Sequence, residues 1–230
     1  VVLLARRAWT EATVFVLALL QPRGEIICAR HAPATPFTFA LLTGSSSICH
    51  SLRCSIAIAH ELGHERPNWE LGASRLYRVI RDDPEAFAPK HRWAMDWYYP
   101  VLAGVETGER GRHRLQSRWA AFVMEERGVR CVSDRPWVTA AETCECAMAH
   151  LAVGETAAAN QLFAWAQRLR NDDGHYWTGI VYPQEDYFPA NETSTYSAAA
   201  VVLAADALSG ASPASWLFAE HDRLPAGVPD

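Results

Sequence analysis

Apolar residues recur at helical spacing in long blocks, broken by short polar turns that hold most of the glycines. The blocks predict eight helices. The first runs from about Leu3 to Leu20 and stops at Gln21-Pro22-Arg23-Gly24, after which a long loop holds Pro33 and Pro36. The second opens at Thr43-Gly44-Ser45-Ser46-Ser47, where hydroxyls can cap free N–H groups, and ends at Gly63. The third spans about Trp69 to Asp82. The fourth covers about Asp96 to Thr107, with Pro100 near its start and Gly108 at its end. The fifth covers Arg112 to Glu126 and ends at Gly128. The sixth starts at Thr139, where Thr139-Ala140-Ala141-Glu142 reads as a capping box, and ends at Gly154. The seventh covers about Thr156 to Arg170, and the eighth about Thr193 to Leu208 before Gly210. Glycine just past the last apolar turn is the usual stop, because it takes the left-handed conformation without strain.

The helices alternate in character. The second, fourth, sixth and eighth are rich in small apolar residues, as in Ala198-Ala199-Ala200-Val201-Val202-Leu203-Ala204-Ala205. A helix apolar nearly all round is buried on all sides. The first, third, fifth and seventh carry charge on one face, such as Arg75, Arg78 and Arg81, or Arg114, Gln116 and Arg118. Inner-helix starts recur every 45 to 55 residues or so, a spacing typical of stacked repeats. Outer helices are followed by glycine turns: Gln21-Pro22-Arg23-Gly24-Glu25, Glu125-Glu126-Arg127-Gly128 and Asn171-Asp172-Asp173-Gly174. The pattern predicts an all-α fold, an (α/α) toroid of helical hairpins with an inner ring inside an outer one. The toroid domain is expected over residues 1–210, with a C-terminal tail over 211–230.

Composition narrows the function classes. The net charge of −5 is spread along the chain, with no basic cluster of the kind nucleic acid requires. The longest apolar stretch of the first helix, Val14 to Leu20, is too short to span a bilayer. No secretory leader is evident, and the six cysteines form no CxxC pair, so a reducing, cytoplasmic setting is expected. The chain opens directly on helical sequence without Met, and is expected to be an N-terminally truncated fragment. Nine tryptophans exceed ordinary core needs and suggest stacking platforms or polar cavities.

Four segments carry a resemblance. Leu42-Thr43-Gly44-Ser45-Ser46-Ser47, Met95-Asp96-Trp97-Tyr98-Tyr99-Pro100-Val101-Leu102, Trp137-Val138-Thr139-Ala140-Ala141-Glu142-Thr143-Cys144-Glu145 and Asp172-Asp173-Gly174-His175-Tyr176-Trp177-Thr178-Gly179 resemble an actinobacterial family labelled "prenyltransferase". That label comes from the α/α toroid of terpenoid cyclases and protein prenyltransferases. The same helices are similar to the six-hairpin glycosidase toroid. The resemblance implies about six helix pairs in a complete ring, of which this chain supplies about four.

In such a ring the loops entering the inner helices gather on one face, and here they hold the aromatic and acidic residues. Glu142 and Glu145, one turn apart, share a helix face. With Asp96 or Glu192 across the ring they could supply the two carboxylates that glycoside hydrolysis needs. Asp96, Glu142 and Glu192 are therefore the catalytic candidates. Trp97, Tyr98, Tyr99, Trp137, Glu145, Tyr176, Trp177, Tyr196 and His50 are the candidates for holding substrate. The favoured substrate is a carbohydrate or glycoconjugate. The alternatives are an isoprenoid in an aromatic cavity, or a binding protein without catalysis.

Other motifs are weaker. Asp172-Asp173-Gly174 reads as a turn rather than a diphosphate site. His60-Glu61-Leu62-Gly63-His64 matches H-E-x-x-H, but Gly63 should end the helix before the second histidine. Neither an Asp-x-Asp-Asp nor an Asp-Asp-x-x-Asp motif is present, and Cys131 with Asp134 lacks a histidine at zinc spacing. No metal and no cofactor is expected.

Overall fold

The computed structural model describes residues 2–28, 30–31, 35–36 and 39–225, with side chains over 7–28 and 39–225. Pro33 of the expected loop and the last residues of the expected tail, 226–230, lie outside the described residues. The chain forms two compact units, Val1–Lys90 with Asp222–Asp230, and His91–His221.

The described residues are mostly helical. The first unit contains α1 (Val2–Leu17), α2 (Leu42–Glu61) and α3 (Pro67–Asp82), with a short antiparallel pair β1 (Arg30–His31) and β2 (Thr35–Pro36). The second contains α4 (Ala94–Leu102), α5 (Gly108–Phe122), α6 (Ala140–Ala152), α7 (Thr156–Ala166) and α8 (Thr195–Ser209). It also holds β3 (Val123–Met124), β4 (Gly128–Val129), β5 (Trp137–Thr139), β6 (Trp177–Val181) and β7 (Asp186–Thr193). Helix α6 is the hub of this unit, packing on α4, α7 and α8. Its small residues Ala141, Cys144 and Ala147, with the larger Met148, are buried on them. Trp97 stacks on Phe122 at 5.3 Å in the same core.

Strands are the departure from an all-helical expectation, and they have a regular place. After α1, Gln21 N–H donates to Glu25, Gly24 N–H donates to Gln21, and Leu20 pairs with Ile26. After α7, Asn171 N–H donates to His175, Gly174 N–H donates to Asn171, and Arg170 pairs with Tyr176. After α5, Arg127 N–H donates to Met124, and Val123 pairs with Val129. The residue that follows each hairpin then pairs with the one two positions before the next inner helix: Ile27 with Ala40, Arg130 with Val138, Trp177 with Thr193. The glycine turns are thus hairpins that send α1, α5 and α7 back into ladders feeding α2, α6 and α8.

Helix ends follow the same rule. Gly63, Gly104 and Gly154 have φ of 69°, 70° and 81°. Each donates to the carbonyl three back, and the next residue donates five back: His64 to Ala59, Val105 to Pro100, Glu155 to His150. This is the Schellman closure. Gly104 therefore ends α4, not Gly108, and α4 is shorter than expected because Pro100 supplies the terminal acceptor. His64 falls past the end of α2, while His60 contacts Glu70 at 3.0 Å, so the H-E-x-x-H letters form no paired helical face. Two capping expectations also fail. Leu41, not a hydroxyl residue, caps α2, and the Thr139 side chain does not cap α6, because it donates to the Glu142 carboxylate instead.

Candidate active site

Within the second unit one ladder collects three helix starts. Trp93, the residue before α4, pairs with Val132. Cys131 N–H donates to the Trp137 carbonyl, and β5 pairs in turn with β6 and β6 with β7. Strand β5 runs straight into α6, and β7 reaches α8 through Ser194. The N-termini of α4, α6 and α8 consequently lie side by side, and the partial positive ends of these helices favour anionic groups there.

Glu145 sits at the centre, 7% exposed. Tyr98 of α4 donates to its Oε2 at 2.5 Å, Tyr99 of α4 to Oε1 at 3.0 Å, and Tyr196 of α8 to Oε1 at 2.7 Å. Helices α4, α6 and α8 are pinned through one carboxylate. Burial pushes the phenols of Tyr98, Tyr99 and Tyr196 upward in pKa, and the Glu145 charge adds to it, so they remain donors. Burial also raises the Glu145 carboxyl, the tyrosine hydroxyls pull it down, and nearby Glu142 pushes it up again, with a net upward shift.

Glu142 lies one turn nearer the helix start and keeps some solvent contact. It accepts the Thr139 hydroxyl and is raised by burial, against the lowering effect of that bond and of its own backbone N–H. Burial and the charge of Glu142 together push the Cys131 thiol up to about 12. A carboxyl raised by burial and held by one hydroxyl is suited to giving up a proton, whereas Glu145, saturated by donors, is suited to staying in place.

Asp96 occupies the third position of α4, as Glu142 does of α6. It is 7% exposed and lies on the face of Tyr99, three residues on. Because Tyr99 meets Glu145, Asp96 and Glu142 each stand one turn above that contact, on adjacent helices that leave the same ladder. Arg114 anchors this start by donating to the Asp96 and Trp97 carbonyls at 2.8 and 2.6 Å and to Glu106 at 3.0 Å.

The remaining candidates fall elsewhere. Trp97 is 1% exposed, its ring N–H donates to the Arg114 carbonyl at 2.8 Å, and it is a core residue. Trp137 lies on the sheet face that also carries Thr139, with Phe188 against it at 5.2 Å, so an aromatic floor leads to Glu142. Trp177 stacks on half-exposed Tyr187 at 4.3 Å. Tyr176 donates to Gln167 at 2.5 Å and packs on the core. Glu192 is exposed on β7 and accepts the Thr178 hydroxyl at 2.9 Å. His50, 7% exposed on α2, belongs to the first unit. The sequence reads Thr139 as the opening of a capping box rather than as a partner of the Glu142 side chain, and no spacing rule marks Phe188. Among the described residues, no group of three or more His, Cys, Asp or Glu could hold a metal ion, and no helix is long and apolar enough to cross a membrane.

No family model matches the chain. Over 218 residues it is 47% identical to a Mycolicibacterium hassiacum protein named MMP endo-(1,4)-3-O-methyl-alpha-D-mannosidase. The match covers 95% of this chain, which spans 60% of that protein's length. A glycosidase relative agrees with the glycosidase side of the resemblance, and the prenyltransferase label finds no support in it.

Proposed function

We propose that this chain forms much of an endo-acting hydrolase of 3-O-methylated α-(1,4)-mannosides, built on an (α/α) toroid whose repeats begin in the ladders and end at the Schellman glycines. Glu142 is its general acid and Asp96 the opposing carboxylate. Glu145 and its three tyrosines hold the inner helices, and thereby the two carboxylates, in register. Trp137 and Phe188 offer their faces to the apolar side of a sugar ring.

Support comes from Glu142 and Asp96 each lying one turn before the partners of the Tyr99–Glu145 hydrogen bond, in a chain 47% identical to a protein named as a mannosidase. Hydrolysis proceeds through an oxocarbenium-like transition state. It requires one carboxyl to protonate the leaving oxygen and another carboxylate to act on the opposite face. Burial raises Glu142 in the direction that a general acid needs at neutral pH.

The test is cleavage of α-(1,4)-linked 3-O-methylmannose oligosaccharides, followed by chromatography of the products. The wild-type protein cleaves internal bonds, and Glu142→Gln and Asp96→Asn each lower kcat by about 100-fold or more. Full activity in Glu142→Gln removes the assignment.

A further inference from the structure

Beside the first turns of α8 the surface opens into a cavity of about 360 Å³. Tyr176 forms one wall, and Ala198, Val201 and Val202 form the other. His175, Thr193 and Thr195 stand at the rim. The volume lies within the range of small-molecule sites, and the combination of an apolar floor with a few polar groups is what such sites share. The walls are fixed before any ligand arrives. The Tyr176 hydroxyl is tied to Gln167 at 2.5 Å, Val201 is buried in the core, and the Ser194 hydroxyl accepts from Ser197 N–H at 3.1 Å, holding the start of α8. Tyr196, in that same turn, reaches Glu145 at 2.7 Å, so the cavity and the carboxylate site share one helical turn.

We propose that this cavity is a subsite for an O-methylated hexose ring, taking the methyl group against Val201, Val202 and Ala198 while the ring hydroxyls meet the rim. The inference rests on the hydrolase reading for the choice of mannose, and on the lining for the preference for a methyl ether. An unmodified hexose presents hydroxyls all round its edge. Placing one against an aliphatic helix face costs hydrogen bonds to water, whereas a methyl ether there gains apolar burial. The sheltered methyl group is worth about fourfold in affinity.

The experiment titrates methyl 3-O-methyl-α-D-mannopyranoside and methyl α-D-mannopyranoside separately into ¹⁵N-labelled protein and follows the amide shifts. The expected result is shifts at Gly174, His175 and Thr195, with the methylated sugar binding about fourfold tighter. Val202→Asp, at a position 65% exposed and outside the carboxylate site, should erase the difference while leaving the spectrum dispersed. Equal affinities, or shifts confined to other residues, overturn the subsite. Ala198→Asp serves as a second variant on the exposed side of the same wall, and a fourfold preference surviving in both overturns it as well. Cavity shifts with the methyl preference but no cleavage of the oligosaccharide uphold the subsite and defeat the hydrolase. Cleavage without cavity shifts does the reverse.

Discussion

At the scale of single residues the Glu145 cluster sets the terms. Tyr98 is fully buried and its hydroxyl has one acceptor, a carboxylate. Tyr98→Phe should cost about 1–3 kcal/mol, as for a buried hydrogen bond to a charged group. Because the Tyr98 bond lowers the Glu145 pKa, its loss raises that pKa further. The cost is therefore largest at pH values where Glu145 is ionised and shrinks toward pH 4, which urea denaturation at pH 8 and pH 5 would show. Equal costs at both would contradict the charge-assisted role. Glu142 carries the opposite lesson. Its folded pKa is raised above the ordinary 4.5. The folded state thus binds its proton more tightly than the unfolded chain does. That stabilisation is complete below the unfolded value and is lost as pH rises through the folded one. Above its folded pKa the ionised Glu142 burdens the fold, so Glu142→Gln should raise Tm increasingly as pH rises while lowering kcat by about 100-fold or more, the trade expected of a functional carboxylate. A fall in Tm at pH 7 would argue that Glu142 is structural. The sequence places Glu142 and Glu145 on one face of α6, since a three-residue spacing fixes a shared face, and puts the tyrosines near the starts of α4 and α8. It could not reveal that Tyr98, Tyr99 and Tyr196 all turn onto one carboxylate, because that depends on how three helices pack.

At the scale of elements, glycines separate two kinds of constraint. Gly210 ends α8 at φ 65° in open space, so Gly210→Ala meets only backbone strain, about 1 kcal/mol. Gly128 has φ 131°, and a Cβ there would lie 2.7 Å from Thr143 Oγ1. That hydroxyl donates to the Thr139 carbonyl at 2.6 Å and accepts from Val129 N–H at 2.9 Å, joining the β3–β4 hairpin to the first turn of α6. Gly128→Ala should therefore cost well over 2 kcal/mol in chemical denaturation and should also slow cleavage through the displaced Thr139–Glu142 pair. A Gly128→Ala variant as stable as Gly210→Ala would mean that the hairpin yields freely. Periodicity locates the eight helices of the described residues, because an apolar stripe at 3.6-residue spacing survives in the letters. The strands escaped it. Pieces of two or three residues such as β3, β4 and β5 are too short to show alternation, and the pairing of β5 with β6 is long-range. The glycine turns were visible, but only their hydrogen bonds identify them as hairpins. Gly108 misled because a second glycine, Gly104, already closes α4 four residues earlier.

At the scale of the molecule, two stretches share one order of parts, helix, hairpin, ladder, helix and Schellman glycine: α1 to Gly63 and α5 to Gly154. What a sequence cannot state is which ligand the gathered helix starts receive, since small apolar helices and aromatic loops would serve a sugar or an isoprenoid alike. Binding energetics can distinguish them. A ligand that binds the folded state alone stabilises it by about 2.7 kcal/mol at a hundred times its Kd. For a chain of this size each kcal/mol is worth about 2–4 °C in Tm. A 3-O-methylmannose oligosaccharide at that excess should lift the transition of Glu142→Gln, which binds without cleaving, by about 5–10 °C. Farnesyl diphosphate at the same concentration should leave it unmoved. The carboxylates Asp96 and Glu142 decide the direction. A diphosphate brought beside them meets like charge that the partial positive helix ends offset only in part, whereas a neutral sugar meets hydrogen-bond partners and the Trp137–Phe188 floor. Stabilisation by the diphosphate and not by the oligosaccharide would reverse that electrostatic reasoning and restore the isoprenoid reading.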